Sequence, residues 1–236
     1  MFKYVYKIAW LLVFLFTTSL FSQTTDKADP DPNRYQKEID LFVQWDAKNS
    51  FPANAVLFVG SSSIRMWPTH QAFPQYPVIN RGFGGAHISD IQFLYETVIH
   101  PYLPSLIVFY AGDNDIAYGK NVDQVFKDYV GLIEKIFMDN PDVRFIYLTI
   151  KPSISRWEHW QKMQALNQKI SDYNDHDNRL FNLDISDLML DYEGKPKSDI
   201  FLEDGLHLNP KGYLLWNSLL DPLLAKTYRA TQTPGQ

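Results

Sequence analysis

The run SLIVFYAGDNDIAYGKNVDQVFKDYVGLIEKIFMDNPDVRFIYLTI, residues 105–150, decides the fold. It opens on SLIVFYAG (105–112), a short apolar run that ends in glycine. It continues through NVDQVFKDYVGLIEKIFM (121–138), whose apolar residues recur with helical spacing, and closes on RFIYLTI (144–150), a second short apolar run. Strand, helix, strand is the unit that parallel pairing demands, because two parallel strands can be joined only by a crossover.

The same alternation extends in both directions. Upstream lie AVLFVG (55–60) and PVINRG (77–82), and downstream lies RLFNLDIS (179–186), so five strands are expected. Helical patterns fill the gaps at ISDIQFLYETVI (88–99) and from Arg156 to about residue 175. Before the first strand, YQKEIDLFVQWDAK places Ile39, Phe42 and Val43 at i, i+3 and i+4, one face of a helix. The last helix is expected after Asn209-Pro210, where asparagine can cap and proline suits the first turn, and runs through Leu214, Leu215, Leu219 and Leu223. Crossover helices bury both faces of a parallel sheet, so the expected class is α/β: a three-layer α/β/α sandwich on a five-stranded parallel sheet.

Composition narrows the function. Hydrophobic residues at 45% and aromatics at 15% exclude a disordered or collagen-like chain. The formal charge is −5, becoming −7 without residues 1–22, which carry Lys3 and Lys7 and no acid; a nucleic-acid partner is not expected. Those first residues read as a signal peptide, with two lysines and then IAWLLVFLFTTSLF, a stretch shorter than the roughly 20 apolar residues a spanning helix needs. A periplasmic or secreted protein with no stable membrane insertion after leader cleavage is the expectation. With no cysteine, neither a lipid-modified cysteine nor a disulfide is available. Residues 23–34 are polar and proline-punctuated and read as an N-terminal tail, 35–228 as one domain, and 229–236 as a C-terminal tail.

In open parallel sheets ligands bind at the carboxyl ends of the strands, and four segments fall there. Gly60-Ser61-Ser62-Ser63 ends the first strand, where a serine either caps the next helix or presents a hydroxyl. Asn80-Arg81-Gly82-Phe83-Gly84-Gly85-Ala86-His87 follows the second, and its glycines either make a plain turn or aim an N–H at a ligand oxygen. Gly112-Asp113-Asn114-Asp115 follows the third; the Asn114 amide can donate to an oxyanion. Asp204-Gly205-Leu206-His207 precedes the last helix, and an ester hydrolase needs such a pair, a base to take a serine proton and a carboxylate to orient it.

Together these segments resemble blocks I, II, III and V of the SGNH, or GDSL, hydrolase superfamily. The resemblance runs from about Ala55 to the last helix and implies a flavodoxin-like SGNH hydrolase fold and a serine hydrolase of the carboxylesterase or acetylesterase type. It places the nucleophile on Ser62, two residues after Gly60, and the catalytic pair on Asp204 and His207. The oxyanion hole falls on Ser62, Gly85 and Asn114, and no cofactor or metal is implied. The family commonly has Asp before the nucleophile, whereas Ser61 stands here, so three adjacent serines compete for the role. The Asn-x-Gly-x-Gly-Gly pattern at 80–85 is similar to the α subunits of intracellular platelet-activating-factor acetylhydrolase, which implies small acyl groups. The substrate expected is a small-molecule or carbohydrate ester, carbohydrate O-acetyl groups among them. Alternatives are a lysophospholipase or thioesterase for longer chains and a non-catalytic binding module on the same fold.

Other residues invite weaker readings. His87 is expected to be a surface or turn histidine rather than a substrate contact. Asp172, Asp175, His176 and Asp177 read as a solvated helix end, since nothing fixes a ligand geometry. Trp157 and Trp160 either line a cleft or cover the core.

Overall fold

The computed structural model describes residues 26–232, with side chains as far as Tyr228. The expected leader and residues 233–236 lie outside the described residues. All five expected strands form: β1 Val56–Gly60, β2 Val78–Gly82, β3 Leu106–Tyr110, β4 Arg144–Leu148 and β5 Leu180–Leu183. They pair in parallel in the order β2-β1-β3-β4-β5. The chain therefore winds one way from β1 to β2 and the other way from β3 onward, and the loops after β1 and β3 part to leave a crevice, the switch point of such sheets.

Strand side chains alternate between two buried layers, as the pleat requires. Leu57, Val59, Ile107, Phe109, Phe145 and Tyr147 face one layer. It is covered by α1 (Gln36–Asp46), α4 (Ile88–Phe93), α5 (Tyr95–Val98), α7 (Val122–Asp139) and α8 (Trp160–Asn174). Phe58, Val108, Tyr110, Ile146 and Leu148 face the other, covered by α2 (Ser62–Arg65), α3 (Thr69–Ala72) and α9 (Pro210–Gln232), with α6 (Asp113–Tyr118) at the end of β3. Trp67 sits at the centre of the second layer, edge-on to Phe58 and to Trp216 of α9. Because β1, β3 and β4 carry almost only apolar side chains, both their faces are buried at no polar cost, the pattern of a central parallel strand.

Local differences have local causes. The pattern over 88–99 is broken at Leu94, whose backbone leaves the helical region (φ −87°, ψ 9°), so α4 and α5 are separate pieces. The expected helix from Arg156 begins with a 3₁₀ turn, Trp157–His159. The last helix starts as expected: the Asn209 side chain accepts from the N–H groups of Lys211 (2.9 Å) and Gly212 (3.2 Å), with Pro210 at the first position. It runs on to Gln232, past residue 228. The described part of the polar N-terminal segment lies against the domain, where Asp29 pairs with Lys120, Arg34 pairs with Asp90, and Gln124 accepts the N–H of Lys27. Among the described residues no helix is long and apolar enough to cross a membrane.

Candidate active site

Construction of the site begins at the end of β1. Gly60 takes φ +151°, and a β-carbon there would stand 2.0 Å from the Tyr110 carbonyl oxygen, so only glycine lets β1 and β3 close up at this point. The Ser61 N–H then donates to that same carbonyl (2.9 Å), and the Phe83 N–H donates to the Gly60 carbonyl (3.0 Å). These bonds tie the turn after β1 to both neighbours. Ser62 is the first residue of α2, where the N–H lies outside the intrahelical ladder. Two contacts anchor α2: Asn80 Nδ2 donates to the carbonyls of Ile64 (2.8 Å) and Trp67 (3.2 Å), and Tyr213 of α9 donates to the Ser63 carbonyl (2.9 Å).

The three serines have different surroundings. Ser61 is fully buried, and its Oγ meets no partner among the described residues. Ser63 is buried, and its Oγ accepts from Lys151 Nζ (3.1 Å). Ser62 keeps slight exposure, and its Oγ lies 2.9 Å from His207 Nε2. Geometry thus separates what the sequence leaves open.

Behind the imidazole, His207 Nδ1 meets Asp204 Oδ2 at 2.6 Å. With Nδ1–H donating to the carboxylate, Nε2 is left to accept from the Ser62 hydroxyl. The turn bearing the pair is fixed from within, because Asp204 Oδ1 accepts the N–H groups of Leu206 and His207, both at 2.9 Å, while Gly205 takes φ +62°. Its ends are joined by a bridge between Phe201 and Leu208 and by a bond from the Leu202 N–H to the His207 carbonyl (2.8 Å). Partial burial works against the Asp204 charge, but the His207 side chain and the two backbone donors outweigh it and hold the carboxyl at about 2.

Gly85 (φ +76°) lies exposed in the loop after β2, and Asn114 enters from α6. Asn114 Nδ2 donates to the Ala86 carbonyl (3.0 Å), which joins the two loops next to Gly85. Thus Ser62, Gly85 and Asn114 follow three adjacent strands, and the Asp204–His207 pair reaches them at Ser62. Asp115, the fourth residue of Gly-x-Asn-Asp, is fully buried and accepts the Ile88 N–H (3.2 Å), so it fixes α6 to the start of α4.

His87 is not at the surface: it is 4% exposed and stands against Tyr118, with ring centroids 5.1 Å apart. Burial, with Lys120 and Arg34 nearby, pushes it down to about 4. His176 Nδ1 meets the Asp172 carbonyl (2.6 Å), Asp175 accepts from Asn182 (3.2 Å) and Asp177 pairs with Arg179, all at the end of α8. Trp160 is buried in the core and Trp157 stacks on it at 6.2 Å with Lys195 over its ring, so the pair covers the core.

The sequence reading misses Lys151 and Arg156. Lys151 is 1% exposed, and its Nζ also donates to the Tyr110 hydroxyl (3.0 Å), 3.6 Å from Asp113. A lysine directly after the apolar run of β4, at the carboxyl edge where ligands gather, is a signal that position alone could have raised. Arg156 lies in irregular chain, and nothing in its neighbourhood marks it.

Comparison with known proteins places the chain in a family. The sequence profile of the GDSL-like Lipase/Acylhydrolase family matches residues 60–215. The chain belongs to this family. Among curated proteins, no match to this hydrolase is found. Solved structures with the same fold include a Streptococcus pneumonia protein provisionally described as a platelet activating factor (22% identity, 81% of this chain and 93% of that one, TM-score 0.72). A GDSL-like lipase from Bacteroides thetaiotaomicron matches at 23% identity over 83% of this chain and 98% of that one, with a TM-score of 0.68. A carbohydrate esterase family 3 member from Talaromyces cellulolyticus matches at 19% identity over 75% and 98%, with a TM-score of 0.62.

Proposed function

We propose that this GDSL-family hydrolase is a serine esterase of the periplasm or cell exterior that removes short acyl or acetyl groups, carbohydrate O-acetyl groups among them. The observation that carries the reading is the continuous relay Asp204–His207–Ser62, with contacts of 2.6 and 2.9 Å at the carboxyl end of β1.

His207 takes the proton of Ser62 as Oγ attacks the ester carbonyl, and Asp204 holds the imidazole in the required tautomer and balances its charge. The N–H groups of Ser62 and Gly85 and the Asn114 amide receive the oxyanion, each such donor being worth about 10²–10³ in turnover. His207 next protonates the leaving alcohol and then activates water to release the acyl group. Support for a short acyl group comes from the Asn80–Gly85 pattern and from the carbohydrate esterase among the structural neighbours. The lysine-flanked apolar stretch in residues 1–22 supports export.

The test is a p-nitrophenyl ester series from acetate to dodecanoate on the mature chain and on Ser62→Ala, with acetylated xylan beside it. Turnover that depends on Ser62 and falls with chain length is expected. Rising rates along the series would overturn the short-acyl assignment, and no Ser62-dependent turnover would overturn the esterase.

A further inference from the structure

In an oxyanion hole built on a side-chain amide, something must decide which end of that amide faces the substrate. Oxygen and NH₂ have nearly the same shape, and a flipped asparagine would present a lone pair to the oxyanion where a donor is needed. In this protein both ends of Asn114 are engaged. Nδ2 gives one N–H to the Ala86 carbonyl (3.0 Å), and Oδ1 accepts from Arg156 Nη2 (2.8 Å). A flip would set the amide oxygen against a carbonyl oxygen and the NH₂ against a guanidinium, two repulsions in place of two bonds. The second Nδ2–H is the group left over for an oxyanion.

The clamp is itself held. Arg156 Nη1 lies 2.8 Å from Asp113 Oδ2, and the side chain is only 17% exposed. Asp113 also faces Lys151 at 3.6 Å. Burial opposes the Asp113 charge, but the two cations overcome it and hold that carboxyl below its usual range. Lys151 and Arg156 thus share one carboxylate, that of the residue next to Asn114. A charge-assisted bond to Oδ1 also draws density from the amide and strengthens its remaining N–H as a donor. The chain between Lys151 and Arg156 reaches the base as well, since the Ser155 N–H donates to the Gly205 carbonyl (3.1 Å) within the Asp204–His207 turn.

We infer that Arg156 is a positioning residue that sets the orientation and donor strength of the Asn114 amide in the oxyanion hole. This rests on the esterase reading, and the experiment separates the two. Rates on p-nitrophenyl acetate are measured for the mature chain, Asn114→Ala, Arg156→Met and the double variant. Asn114→Ala is expected to lower kcat by about 10²–10³. Arg156→Met should lower kcat with KM nearly constant, and should add nothing once Asn114 is already alanine. Additive losses, or a raised KM at unchanged kcat, would overturn the clamp.

A second measurement needs neither activity nor a folded Arg156 variant. In an amide-proton NMR spectrum of the intact chain, the two Asn114 side-chain protons, identified by their absence in Asn114→Ala, should differ in solvent exchange, the one held by the Ala86 carbonyl being protected and the other not. Equally unprotected protons would overturn the inference. Unequal protection in a protein without Ser62-dependent turnover would uphold the clamp and sink the esterase.

Discussion

Ser62 Oγ lies 2.9 Å from His207 Nε2 across 145 residues of chain, while the hydroxyls on either side of it cannot reach that nitrogen because they are buried elsewhere. The proposed nucleophile is thereby chosen by placement, since all three serines have the same chemistry.

Single substitutions should reproduce that choice. Ser62→Ala is expected to cost as much as about 10⁶ in kcat, the scale seen when a triad nucleophile is lost, and to abolish labelling by a fluorophosphonate probe. Ser61→Ala removes a buried hydroxyl that meets no partner among the described residues and should leave both rate and label in place. A probe adduct mapped to Ser61 or Ser63 by peptide mass spectrometry would refute the assignment.

Asp204 offers a test of the base. Asp204→Asn should lower kcat by up to about 10⁴, because the amide would favour the wrong imidazole tautomer. Its carboxyl is held at about 2 in the folded chain against an ordinary 3.8. The stability this group provides is therefore complete above 3.8 and lost as pH falls through 2. Unfolding midpoints measured from pH 4 downward should fall in the parent and lose this part of the slope in Asp204→Asn, and parallel curves would contradict the assignment.

His87 should give the protein an acid-sensitive stability far from its chemistry. Its folded value of about 4 lies below the ordinary 6.5, so the unfolded chain binds the extra proton first and stability rises with pH between those values. The span corresponds to about 3 kcal/mol at most. Urea midpoints from pH 7 to pH 4 should fall for the parent and fall less for His87→Gln. Equal slopes would remove His87 as the cause.

Gly60→Ala tests the strand-end turn. The added carbon would meet the Tyr110 carbonyl at 2.0 Å, so β1 and β3 must separate. A loss of at least about 3 kcal/mol in denaturant unfolding is expected from overpacking and backbone strain together. A midpoint unchanged from the parent would show that the sheet edge yields freely.

Most of the architecture was legible because β1, β3 and β4 are apolar on both faces, and such runs alternating with helical periods admit few arrangements. The Asn209-Pro210 start of α9 was legible for a similar reason, local chemistry deciding a local outcome. The break at Leu94 was not, for the apolar spacing through Ile88, Ile91, Tyr95 and Val98 carries on across it. Within the site, Ser62, Gly85, Asn114, Asp204 and His207 stand at strand ends or in short motifs. Arg156 escaped because its importance comes from a neighbour 42 residues away, and no periodicity encodes that contact. A histidine after glycines reads as a surface or turn residue, whereas the His87 ring tucks against Tyr118.

The Asp204–His207 turn is held by the Phe201–Leu208 bridge and by the Leu202–His207 and Ser155–Gly205 backbone bonds, all outside the five-stranded ladder, whereas Ser62 is anchored to β1, β2, β3 and α9. Nucleophile and base thus ride on parts with unequal opening energies. Warming should disarm the enzyme before it melts: the imidazole swings away first, silencing turnover reversibly while the sheet still resists hydrogen exchange, and cooling re-forms the relay without any refolding.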